Sequence, residues 1–263
     1  MGRLALVQQR SARQDFTLPW QRLAVGAALT VAALALLYLA ARMTPVFAVR
    51  TIEVSGAPQS VREAVREAAE PFQGKSLVGL DGNALVTELR AIPTVRSASY
   101  DRAFPSTLRI FVTPEVPLAV LRLGRDRWLV SERGRVIRRY VSDPEERFPY
   151  FRLPERANIG PGTFVSDETA RVVLRALAAA APTKFPARID KVSLEEGELT
   201  MALHASWGDP ELRLGEPVDV RAKLAAAAAV LRSLAADDAG PVGYVDVSVP
   251  ERTVVGTNSQ VSG

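Results

Sequence analysis

The chain has 263 residues, 48% of them hydrophobic, and no cysteine. That length allows one large domain or two small ones, and the missing cysteines exclude disulfides, zinc–thiolate sites and cysteine nucleophiles. The net charge of +4 belongs to the start: Arg3, Arg10, Arg13, Arg22 and Arg42 against Asp15 leave 28 basic and 28 acidic side chains over residues 43–263. A nucleic-acid binder concentrates positive charge on its folded part, which this chain does not do.

The first element is LAVGAALTVAALALLYLAA, residues 23–41, a run of nineteen residues without a charge. As a helix it spans roughly 28 Å, close to a hydrocarbon core of about 30 Å. It is longer than the apolar region of a signal peptide and follows a long polar leader, so a transmembrane helix is expected. Trp20 and Tyr38 sit near its ends, where amphipathic aromatics favour the interface. The arginines before it place residues 1–22 in the cytoplasm as a short tail and the rest of the chain outside, by the positive-inside rule.

Val49 to Val54 then alternates as a strand and stops at Gly56. Ser60 and Glu63 stand at capping-box spacing, and Val61, Ala64, Val65, Ala68 and Ala69 share one face of a helix that ends before Gly74. Asn83 is the expected cap of a shorter helix through Leu85 and Leu89, terminated by Pro93. Strands Val95–Arg102 and Thr107–Val112 follow, joined by a turn at Phe104-Pro105-Ser106. The order is β-α-α-β-β, with Ile110 and Val112 on the strand that closes the sheet.

This order, the V-x-x-I-x-V-x-G opening at Val49–Gly56, and the P-x-V…A…R-x-x-P-x-T-L-x-I-x-V spacing from Pro93 to Val112 resemble a POTRA domain. A basic tail, one membrane helix and then POTRA is similar to the FtsQ/DivIB family of bacterial cell-division proteins. The resemblance implies an α+β fold: a single N-terminal transmembrane helix (23–41), a POTRA domain (46–122), and a second β-rich α+β domain with an antiparallel sheet (123–256). Residues 257–263 form a C-terminal tail. POTRA folds carry no chemistry of their own, so the first module reads as a binding unit.

In the second module, Arg127–Arg139 is expected as a hairpin turning at Glu132-Arg133-Gly134. LVSERGRVI resembles the family's W-x-V-D-x-x-G-x-V segment, with Ser131 where an acidic residue is more usual. A stretch with Pro144, Pro149, Pro154 and Pro161 precedes a helix over Asp167–Ala180 with Val172, Val173, Leu174 and Leu177 as its apolar side. Strands Ile189–Leu194 and Glu198–Leu203 flank a Glu195-Glu196-Gly197 turn, and Glu211–Leu214 adds another. A long helix over Leu214–Leu234, with Pro217 near its start and Leu224, Leu231 and Leu234 inward, resembles the family's L-G-x-x-x-x-x-x-K-L-x-x-L element with Lys223 and Leu224 in register.

The chain's closing GYVDVSVPERTVV resembles the family's Y-V-D-V-S-x-P-x-x-x-V-V and is the most specific match. Its alternation puts Val245, Val247 and Val249 on one face, and Tyr244, Asp246 and Ser248 on the other. A strand from Tyr244 to Val255 is expected at a sheet edge, where a partner can add a strand beside it. Pro250 suits an edge because it gives no N–H to a ladder, and Glu251 and Arg252 discourage self-pairing. Thr253, Val254 and Val255 complete the candidate partner-binding stretch. The family resemblance implies divisome membrane proteins as partners, with the FtsB/DivIC and FtsL pair on this edge, and location at the division septum. The bland alternative is the last strand of a core, facing solvent.

No catalytic constellation stands out. His204 and Asp209 lack a G-x-S-x-G elbow, Glu195, Glu196 and Glu198 flank a hairpin glycine without a calcium-loop pattern, and no phosphate-binding loop occurs. No cofactor, metal, nucleic acid or small-molecule substrate is expected. The sequence therefore reads as a non-enzymatic divisome scaffold linking early and late division proteins. The weighed alternatives are another membrane-anchored POTRA protein that handles client polypeptides, and an anchored cell-wall hydrolase, which the missing constellation disfavours.

Overall fold

The computed structural model describes residues 20–43, 45–141, 147–153, 159–236 and 242–257. Arg3, Arg10, Arg13, Pro144, Pro154 and most of the C-terminal tail lie outside the described residues. Helix α1 runs Trp20–Met43, somewhat longer than the uncharged stretch. Its Leu23–Ala40 window has a mean hydropathy of 2.3 with none of it buried. Among the described residues it is the one helix long and apolar enough to cross a membrane.

A 3-10 turn, Pro45–Phe47, leads into β1 (Thr51–Ser55), α2 (Gln59–Ala69), α3 (Gly82–Ala91), β2 (Val95–Ala103) and β3 (Thr107–Pro114). The three strands order as β1-β3-β2, with β1 parallel and β2 antiparallel to β3. So β3, bearing Ile110 and Val112, is the central strand and does not close the sheet. Its inward face (Leu108, Ile110, Val112) packs with Val61, Val65 and Ala69 of α2 and Leu85 and Leu89 of α3 in one buried cluster. Gly56, the last residue of the opening motif, has φ +87, and a Cβ there would lie 2.5 Å from the Val112 carbonyl oxygen. Glycine is what lets β1 turn away so close to β3.

Both helix caps differ from expectation. Helix α2 starts from Pro58, whose extended backbone (ψ 161°) sets the entry angle without a side-chain cap. Ser60 is already inside the first turn, and Glu63 instead accepts from Gln59 Nε2 at 2.9 Å. For α3 the cap is Asp81, two residues before Asn83: its Oδ1 accepts from the backbone N–H groups of Asn83 (3.0 Å) and Ala84 (3.1 Å). A carboxylate in the cap position also meets the positive end of the helix dipole.

The second sheet has nine strands: β4 (Pro117–Leu123), β5 (Asp126–Ser131), β6 (Val136–Arg139), β7 (Tyr150–Leu153), β8 (Arg188–Glu195), β9 (Glu198–His204), β10 (Glu211–Gly215), β11 (Tyr244–Asp246) and β12 (Val254–Gly256). They order as β12-β11-β10-β9-β8-β7-β4-β5-β6. The sheet is mixed rather than purely antiparallel, because β4–β7, β7–β8 and β10–β11 are parallel. Strand β4 falls inside the segment read as the first module, yet it pairs with β5 and β7. Strand β7 lies in the proline-rich stretch, where no strand was expected.

Helices α4 (Glu168–Ala180) and α5 (Val220–Ala236) share the main core of this sheet, with Leu121, Phe151, Met201 and Leu212 buried against Leu174, Leu177, Leu224 and Leu231. Asp167 caps α4 by accepting from Ala170 N–H at 3.0 Å. Helix α5 begins at Val220 rather than at Leu214, because Leu214 stays in β10 and positive φ at Gly215 (63°) and Asp219 (50°) turns the chain first. The buried Lys223 closes that turn, its Nζ donating to the carbonyls of Leu214 (2.9 Å) and Glu216 (2.8 Å). Seven residues separate Gly215 from Lys223, one more than the family spacing, and they form this connection.

Candidate partner-docking edge

The C-terminal stretch folds as a hairpin, not as one strand. Asp246 Oδ1 accepts from Ser248 N–H at 2.9 Å, bending the backbone away just after β11. A turn follows, closed by Arg252 N–H donating to the Val249 carbonyl at 2.9 Å, and β12 returns antiparallel to β11. The expected alternation therefore ends early. Val245 and Val247 are buried, but Val249 is 51% exposed because it lies in the turn. Pro250, Glu251, Arg252 and Thr253 also belong to this connection rather than to an edge strand.

Strand β11 is not the edge. It pairs with β10 in parallel (Leu212↔Val245) and with β12 on its other side (Val245↔Val255). The edge is β12, last in the sheet order, with Val254 and Val255 exposed. Among the described residues no strand lies beyond it. Gly256 ends β12 under the ring of Tyr244: a Cβ there would stand 2.3 Å from a ring carbon. The guanidinium of Arg213 lies 4.3 Å from that ring's centroid and donates from Nε to Glu211 at 2.8 Å. The hydrogen bond to Glu211 raises the Arg213 pKa above its already high value, so this charge is permanent. Ring, guanidinium and glycine thus hold the short β11–β12 pair flat against β10. A regular edge of this kind can accept a further strand through its outward N–H and C=O groups.

At the other end of the sheet is a residue that the sequence reading did not single out. Arg135, just before β6, is buried between the two cores. Its Nη1 donates to the Val95 carbonyl at 2.8 Å, and its Nη2 to the Arg90 (2.7 Å) and Ala91 (3.4 Å) carbonyls at the end of α3. Ser131 receives the Arg135 backbone N–H on Oγ at 3.2 Å, which positions the guanidinium. Beside it, Arg133 stands 3.7 Å from the buried Glu115. Only the alternation of charge with Gly134 and Val136 hinted at an inward-facing arginine here.

His204 Nδ1 and Asp209 Oδ1 lie 2.6 Å apart, exposed at the end of β9. Glu195 and Glu198 face each other across the β8–β9 hairpin turn. Among the described residues no group of three or more His, Asp or Glu side chains is placed to hold a metal.

Residues 47–113 match the family model of the POTRA domain, FtsQ-type. Among curated proteins, the chain is similar to the cell division protein FtsQ of Mycobacterium leprae, 33% identical over 139 residues, or 53% of this chain and 39% of that protein. It is also similar to the cell division protein FtsQ of Syntrophotalea carbinolica (25% identical over 249 residues, 90% and 87% of the two chains). A third relative is the cell division protein FtsQ of Myxococcus fulvus (26% over 193 residues, 73% and 67%). The matched stretch spans 39% of the first of these relatives' length, and 23% and 52% of two further proteins named cell division protein FtsQ.

Proposed function

We propose that this chain, whose residues 47–113 match the FtsQ-type POTRA family model, is a non-enzymatic scaffold of the bacterial division machinery. It joins membrane-anchored division proteins at the septum through its extracytoplasmic part. We place the boundary between its two binding units between Pro114 and Pro117, since β3 ends at one and β4 begins at the other. The α1 helix anchors the chain, with residues 1–22 in the cytoplasm. A reporter active only outside the cytoplasm, fused at the C-terminal end, is expected to be active; activity only when it is fused within residues 1–19 would reverse the orientation.

The β11–β12 hairpin docks the FtsB/DivIC–FtsL pair, whose chain adds a strand to β12. The observation that carries this reading is the outer side of β12, which pairs with no strand among the described residues and is held in register by Tyr244 over Gly256. Main-chain hydrogen bonds supply affinity, and Val254 and Val255 supply apolar contact. The glutamate of Val254→Glu would lie at that contact while leaving the core untouched, since Val254 is 52% exposed. Partner recovery from membranes is expected to fall about tenfold, equal to about 1.4 kcal/mol, with an unchanged melting curve. Undiminished recovery from the folded variant would overturn the docking role. Recovery of unrelated unfolded polypeptides in place of division proteins would instead favour a client-handling POTRA protein.

A further inference from the structure

We infer that the membrane-proximal end of the first unit is a second membrane contact, with Val46, Phe47 and Phe104 seated in the headgroup region of the bilayer. The inference rests on the proposal that α1 spans the bilayer. Val46 is 55% exposed and Phe104 is 57% exposed, and the rings of Phe47 and Phe104 meet edge to face with centroids 5.8 Å apart. Exposed aromatic clusters of this kind mark interaction surfaces. This one lies at the tip of the β2–β3 hairpin, where the chain leaves the anchor.

The tether fixes what covers it. The apolar window of α1 ends at Ala40 and the helix at Met43, so the last turn advances about 4.5 Å into a headgroup layer about 5–7 Å thick. Only residues 44–46 then separate the helix from a segment bound to the folded unit. Leu77 N–H donates to the Phe47 carbonyl at 2.8 Å, Gly74 N–H to Val49 at 2.9 Å, and Arg50 N–H to Ser106 at 2.8 Å. From Met43 to Phe47 is four residue steps, at most about 14 Å, so residue 47 and the hairpin tip bound through Ser106 stay close to the membrane surface. Aromatic rings favour this interface, and the exposed Arg50 and Lys75 flank the cluster, where their long side chains reach lipid phosphates. The surrounding main-chain bonds make the seat rigid rather than a loose linker.

The chain holds no cysteine, so one introduced cysteine carries one probe. Full-length protein with an environment-sensitive NBD label at Phe104→Cys, or at Gln73→Cys with the aromatic pair intact, is reconstituted in vesicles of equal parts phosphatidylcholine and phosphatidylglycerol. Some of the lipid bears a shallow or a deep spin-label quencher. Both probes are expected to be quenched at least about twofold by the shallow quencher, while a label at Glu196→Cys, in the β8–β9 turn of the second sheet, is not. In the Gln73→Cys protein, adding Val46→Ser and Phe104→Ser should lower that quenching by about half or more, although the tether still keeps the unit near the surface. A label at Leu29→Cys reports the anchor: if the deep quencher fails there, α1 does not span the bilayer. With Leu29 quenched, probes at Phe104 and Gln73 that are water-exposed and unquenched overturn the inference. Probes shielded from water yet unquenched by lipid also overturn it, and assign the cluster to a protein neighbour.

Discussion

Replacing Ile110 by aspartate is expected to unfold the first unit while leaving the second sheet formed. Ile110 is fully buried on the central strand β3, between Val54 of β1 and Tyr100 of β2, beneath α2 and α3. Among the described residues the buried charged side chains are Glu115, Arg135 and Lys223, none of which pairs with β3 at Ile110, so the carboxyl meets an apolar wall. An unpaired charge or an unsatisfied carboxylic acid there costs several kcal/mol, beside the lost side-chain burial of about 2–3 kcal/mol. Small domains hold only about 5–15 kcal/mol in total. The neighbouring Phe111 points to the other face and is 47% exposed, so Phe111→Asp is expected to change stability by less than about 1 kcal/mol. Limited proteolysis and circular dichroism of the two variants check this pair. Equal protection of Ile110→Asp and wild type would show that the inward face of β3 is not what holds the unit together.

That contrast was legible in the sequence because alternation over Thr107–Val112 is a local signal, and so were the helices ended by Pro93 and Ala180. The position of β3 in the middle of its sheet was not, since pairing order is set by long-range contacts that periodicity does not carry. The caps were displaced for a related reason. Ser60 and Asn83 are good capping types, but Pro58 and Asp81 precede them and already fix where each helix begins. Strand β7 was hidden because its four residues sit between prolines, and its burial comes from β4 and β8 on either side. At the C-terminal edge the valines indicated a strand, but the bend at Asp246 depends on one side-chain hydrogen bond to Ser248. Arg135 was illegible for the deepest reason: its partners are main-chain carbonyls 40 and 45 residues away.

Arg135 is also where the largest effect on the relation between the two units is expected. The carbonyls of Arg90 and Ala91 belong to the last turn of α3 and have no partner within the helix. One guanidinium satisfies both, together with Val95, from the far side of the junction. A cation there also meets the negative end of the helix dipole. Each good hydrogen bond from a charged donor is worth about 1.5–3 kcal/mol, and the acceptors left behind by Arg135→Ala would be desolvated without compensation. A loss of about 3–4 kcal/mol is expected, with Arg135→Lys recovering part of it, because an ammonium cannot span the three carbonyls as a planar fork does. The consequence reaches the β11–β12 edge proposed for docking. Strand β12 lies eight strand spacings from β6, about 38 Å across the sheet, so a 10° rocking at the clamp would move that edge by about 7 Å. Two spin labels, at Gln73→Cys and Glu196→Cys, report the geometry in full-length protein. The alanine variant is expected to broaden their distance distribution and to split a single urea transition into two. An unchanged distribution with a single unshifted transition would show that the Arg135 guanidinium does not hold the two units together.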